Sequence, residues 1–177
     1  MLVMSDKQQP KHVLTNIDSY IPFSIEFSNS GLADLYWRCG NGKTCLFELG
    51  LSNTGEVINI TLASINSSNI LKKNNKYKIP FPVENFLPKF DVSEWNIISE
   101  DYSSIFRDDF NYELQLILGL DYLVLNFLNI EKSVCYFKNE ELYLGFNSNK
   151  ELSSIQLTHI AAEEIEMIKE IFKVDTN

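Results

Sequence analysis

The chain has 177 residues, 45% of them hydrophobic and 22% charged, which supports one folded core and argues against disorder. Twenty-four acidic residues against fifteen basic ones leave a formal charge of −9, so free nucleic acid and anionic membranes are repelled and a basic protein partner is favoured. No run approaches the roughly 18 apolar residues of a spanning helix, residues 1–10 lack a signal peptide's apolar centre, and Cys39, Cys45 and Cys135 have no metal-ribbon spacing and fit reduced thiols. The expectation is a cytoplasmic single domain over residues 1–177.

In chain order, residues 1–19 carry no assigned element and are expected to form a mobile N-terminal segment. Period-two alternation, the signature of a strand with one buried face, then begins. Phe23, Ile25 and Phe27 alternate with Ser24 and Glu26; Ala33, Leu35, Trp37 and Cys39 alternate with Asp34, Tyr36 and Arg38. Gly40-Asn41-Gly42 predicts a hairpin turn, across which Cys39 and Cys45 could face each other. Cys45, Phe47, Leu49 and Leu51 form the return strand, and Ser52-Asn53-Thr54-Gly55 turns the chain into Ile58, Ile60 and Leu62. Residues 66–90 are a polar, basic connector in which Pro80, Pro82 and Pro88 prevent a regular helix. A helix is expected within residues 103–118. Near the C-terminus, Ala161, Ile165, Ile168 and Phe172 recur at helical spacing with Glu163, Glu164, Glu166, Lys169 and Glu170 between them, predicting an amphipathic helix that covers the sheet.

The pattern repeats. Residues 46–65 align without a gap on residues 141–160, and Leu49, Gly50, Glu56, Ile60, Leu62 and Ile65 match Leu144, Gly145, Glu151, Ile155, Leu157 and Ile160. Upstream, Ile25, Phe27 and Asn29 match Leu125, Phe127 and Asn129 at an offset five residues larger, which a shorter second hairpin absorbs. The expected fold is α+β: an antiparallel sheet, or two packed sheets, built from two related β-meanders and packed by the C-terminal helix.

Material for catalysis is sparse. With only His12 and His159, a histidine-based acid/base pair or a multi-histidine metal site has little to draw on. Gly42-Lys43-Thr44 imitates the end of a phosphate-binding loop, but Trp37 stands where that loop needs glycine, and a strand follows where it needs a helix. On a helix, Asp108, Asp109 and Glu113 could gather to hold a hard cation, yet with Glu100 and Asp101 nearby they read better as an acidic surface. No catalytic residue, cofactor or metal ligand is assigned.

The run from Leu49 to Leu62, LGLSNTGEVINITL, resembles small bacterial immunity proteins encoded beside polymorphic and contact-dependent growth-inhibition toxins. Residues 142–170 are similar to the ending of several of them, where a Leu-Gly-Phe strand, a polar turn, another strand and an Ile/Glu-rich helix close the domain. The resemblance implies a monomeric cytoplasmic protein that binds one cognate toxin domain and blocks its active site. The toxin would be a basic nuclease, an RNase for choice, met by carboxylates where it expects phosphates. For the partner-binding surface the sequence offers Asp91, Glu94, Glu100, Asp101, Asp108, Asp109 and Glu113 as an acidic rim, with Trp95, Tyr102 and Phe106 as anchors. The acids are expected to be exposed, so that their reversal would spare the fold. The alternatives are an acidic nucleic-acid mimic that inhibits a DNA-binding protein, or an enzyme of unknown type.

Overall fold

The structure, a computed structural model, describes residues 1–18 and 20–172. Its strands are β1 (Met4–Gln8), β2 (Val13–Asn16), β3 (Phe23–Phe27), β4 (Leu35–Gly40), β5 (Leu46–Leu51), β6 (Val57–Ser64), β7 (Ile70–Lys72), β8 (Val83–Asn85), β9 (Leu87–Phe90), β10 (Phe106–Asp109), β11 (Leu114–Leu118), β12 (Tyr122–Phe127), β13 (Cys135–Asn139), β14 (Leu142–Phe146) and β15 (Leu152–Thr158). One helix, α1 (Ala162–Ile171), follows.

The first large sheet runs β2-β3-β6-β5-β4-β10 and the second β7-β11-β12-β15-β14-β13-β8, while β1 and β9 form a separate ribbon. With β7 set aside, the two orders correspond position by position. Each sheet centres on four antiparallel strands in which the last two of the chain lie between the first two. Neither sheet is purely antiparallel. β10 lies parallel to β4, β7 to β11 and β8 to β13, because these edge strands come from chain travelling between the sheets and arrive by crossover, which is how parallel neighbours are joined.

Alternation works as the sequence predicts within β3, β4 and β5. Phe23, Ile25, Phe27, Leu35, Trp37, Phe47 and Leu49 are buried, and Glu26, Tyr36, Arg38 and Glu48 occupy the other face. The inner faces of the two sheets meet where Trp37 and Phe47 of the first contact Phe127 of the second, at ring-centre distances of 5.7 and 5.5 Å. α1 buries Ile165 and Ile168 in the same core and leaves Glu163, Glu166 and Glu170 outside. No described helix is long and apolar enough to cross a membrane.

Several expectations need correction. Within residues 103–118 there is no α-helix: a 3₁₀ turn (Tyr102–Ile105) leads into β10 and then β11. Residues 1–19, expected without structure, supply β1 and β2; β1 pairs with β9, where Pro88 is accommodated because the ribbon has only two strands. The connector is structured too, giving β7 and β8 to the second sheet and β9 to the ribbon. Cys39 pairs with Phe47 across the hairpin, and Cys45 lies opposite Asn41, so the two thiols are not cross-strand partners. Burial pushes the Cys39 thiol up to about 12 and the Cys45 thiol up to about 11.

Candidate functional site

Two local structures dispose of the chemistry that the sequence imitates. At the Gly40-Asn41-Gly42 turn, the Asn41 Oδ1 accepts from the amides of Lys43, Thr44 and Cys45 at 2.9, 2.9 and 3.0 Å. The amides that would cradle a phosphate are thus occupied by the loop's own side chain. Asp108 and Asp109 are neighbours in a strand, so they point to opposite faces instead of gathering with Glu113.

The acids 91–113 divide by their partners. Glu94 pairs with Arg107, whose guanidinium lies 5.4 Å from the Trp95 ring centre. Asp108 accepts from Arg38 Nε and Nη2 at 2.7 and 3.0 Å. Asp109 is not a surface charge. It accepts a 2.6 Å hydrogen bond from the Trp37 indole and lies 2.9 Å from the Met1 amino group. Burial raises the Asp109 carboxyl, but the Trp37 donor, the Met1 ammonium and Arg107 outweigh that and hold it below the usual carboxylate range. Reversal of Asp109 to lysine would therefore disturb the fold, contrary to the sequence expectation. Asp91, Glu100, Asp101 and Glu113 remain exposed, Asp91 closing a turn through the Ser93 amide.

Trp95 packs partly against the core and donates to the Ile105 carbonyl at 3.0 Å, so it braces the segment. Phe106 lies half-buried on the outer face of β10, stacked on Tyr36 of β4 at 5.3 Å and covered by the Arg38 guanidinium at 4.3 Å. Tyr102, 75% exposed, meets Phe106 edge-on at 5.7 Å. The loop carrying it is tied by its own hydroxyls: Ser104 Oγ accepts from the Ile98 amide at 2.9 Å and donates to the Asp101 carbonyl at 2.7 Å, while Asp101 caps the 3₁₀ turn through the Ser103 amide at 2.9 Å. The loop thereby holds Ile97, Ile98 and Tyr102 outward, each more than half exposed. An exposed aromatic ladder flanked by apolar and acidic residues is suited to gripping another protein.

Sequence reasoning did not name Tyr36, Arg38, Ile97 or Ile98 as parts of this surface. The alternation itself held a signal for the first: an aromatic residue on the polar side of an amphipathic strand has no core to occupy. No protein-family model matches the chain, and no curated protein matches it in sequence.

Proposed function

We propose that this protein is a cytoplasmic immunity protein that binds one copy of a cognate toxin domain and blocks its active site. The toxin is a basic nuclease, with an RNase the favoured case. The observation that carries the reading is the ladder Tyr36, Phe106, Tyr102, three rings supported by one another on the outer face of the first sheet, beside the exposed acids Glu100 and Asp101. Rigid aromatic anchors within a charged rim are what a standard protein interface needs, and residues 91–113, with seven acids and one base, concentrate the charge that steers a basic partner.

We read the two meanders as copies of one unit. Six identities in the gapless alignment of residues 46–65 with 141–160 and the corresponding strand orders support this. Such a duplication supplies one face for the partner and one for the chain itself.

The test is binding and protection from the neighbouring toxin domain by wild type, Tyr102→Ala and Glu100→Lys. Loss of an anchor should weaken binding by tenfold or more, and the charge reversal should slow association and flatten its salt dependence. Full protection by a folded double variant would reject this face as the contact surface.

A further inference from the structure

A groove of about 450 Å³ lies on the outer face of the first sheet, beneath the loop joining β3 to β4. It follows one row of residues across the strands: Glu26 on β3 faces Asn59 on β6, Asn59 faces Gly50 on β5, and Gly50 faces Tyr36 on β4; Glu26, Asn59 and Tyr36 line it. Gly50 lies beneath the loop and lets it come down on the sheet. A Cβ there would stand 2.5 Å from Asn59 Oδ1 and 2.9 Å from Ala33 Cβ, so the loop's close approach requires glycine.

Four properties of the groove specify an occupant. Glu26 is exposed and has no ion-pair partner among the described residues. The Ser30 hydroxyl is buried in the groove's wall, again with no hydrogen-bond partner among the described residues. Leu32, at the rim, is 94% exposed, and Ile58 adds an apolar wall. Tyr36, stacked on Phe106 on one side, lines the groove, and burial, with the Glu48 and Asp34 carboxylates nearby, pushes its phenol up.

We infer that this groove receives an arginine side chain of the protein partner, its guanidinium on the Glu26 carboxylate of β3 and its stem running past Leu32 and Ile58. A planar cation with five donors meets a carboxylate in two parallel hydrogen bonds, which an ammonium cannot do. The groove shares Tyr36 with the aromatic ladder, so partner contact would extend from Tyr102 across Tyr36 to β3.

The molecule contains its own control. The corresponding groove on the second sheet, about 400 Å³, has Asn126, Ser154, Gly145 and Tyr136 in its row, and Lys132 at its rim in place of Leu32. It keeps the shape and replaces the carboxylate with an amide and the apolar rim with a cation. It should refuse arginine.

The inference rests on the reading that the partner is a basic protein, but its test does not need the toxin. The full chain, labelled with ¹⁵N, is titrated with N-acetyl-arginine methylamide and with the neutral citrulline analogue. Saturable shifts are expected at residues 26–36 and 58–59, at least fivefold weaker for citrulline and for Glu26→Gln, with residues 126–136 unmoved. Equal response to both probes, an unaltered response of Glu26→Gln, or shifts centred on 91–113 or 126–136 would overturn it. Failure here with intact toxin binding removes only the arginine site, whereas arginine binding without toxin binding removes the immunity reading.

Discussion

The outer faces of the two sheets share a plan and differ in what lies on them. Across the first runs Glu26, Asn59, Gly50, Tyr36, Phe106; across the second runs Asn126, Ser154, Gly145, Tyr136, Val83. Part of the second face is covered by the connector. Tyr77 donates to Gln156 Oε1 at 2.7 Å and packs between Tyr122 and Tyr143, each ring 5.5 Å away, while the Lys73 amide on Leu118 and the Tyr136 amide on Pro82 tie the connector down. Every residue of β15 is buried: the connector covers Gln156, while Ser133 covers Ser153 and Ser154 and Glu141 meets Thr158. The first face has no such cover, and its β6 keeps Asn59 and Thr61 half-exposed. One surface has been spent on the protein's own architecture, and the other is open to a partner.

The inner faces should be far more sensitive than either outer one. Trp37→Ala removes a fully buried ring that meets Phe127 and takes the indole donor from the Asp109 carboxylate, so a loss of about 3–5 kcal/mol in denaturant unfolding is expected. The outer faces should then separate. Tyr77→Phe strips a buried amide of its donor and should cost about 1–3 kcal/mol. Thr61→Ala, at the position of the open sheet that corresponds to Gln156, should stay within about 0.5 kcal/mol. Equal effects in thermal melts would mean that the connector is not a cover.

The sheet edges sharpen the same comparison. On the first, Asp109 bonds the Trp37 indole; on the second, Phe86 lies on Phe137 with ring centres 4.0 Å apart. Of these two contacts only the first involves a carboxylate. Because the folded Asp109 carboxyl sits below its ordinary value, its stabilisation is full above the unfolded pKa of about 4 and is lost as pH falls through the lower folded value. Asp109→Ala should cost about 1–2 kcal/mol at neutral pH and less below both pKa values, where only the unpartnered Trp37 indole remains. In acid, hydrogen exchange should quicken in β10 before β8. Of the two β10 carboxylates the smaller effect belongs to Asp108, whose pair with Arg38 lies on the surface: Asp108→Asn should change stability by less than about 1 kcal/mol.

The strands with one buried and one open face were the legible part of the sequence, because alternation survives wherever a sheet separates core from water. β3, β4 and β5 read clearly for that reason. β15 has the same pattern but is buried on both sides, and nothing in LSSIQLT foretells that Gln156 will be covered by Tyr77, seventy-nine positions earlier, or Ser154 by Ser133, twenty-one positions earlier. The expected helix over 103–118 failed through a competing local signal. Asp101, Ser103 and Ser104 form hydrogen bonds that close a single turn, and the neighbouring strand β4 then captures Phe106–Asp109. Of the ten residues proposed for the partner surface, the exposed Glu100, Asp101 and Tyr102 stand where a partner can reach them. Asp109 and Trp95 are instead fastened inward, by an indole donor and by a backbone acceptor that no spacing rule reveals.

The edge strands have a consequence for how the chain folds. β10, which completes the first sheet, is made only after β7 and β8, which must wait for β11 and β13 to complete the second. Each half is therefore finished with material from the far side of the other, and the closing pairings span long loops whose entropy must be lost first. Folding should be slow, on the order of milliseconds to seconds, and during synthesis the first sheet should remain without its β10 edge until about residue 110 has left the ribosome. Cutting the chain between β9 and β10 would not release two small domains, because the N-terminal fragment would lack its closing strand and carry two others with nothing to pair with.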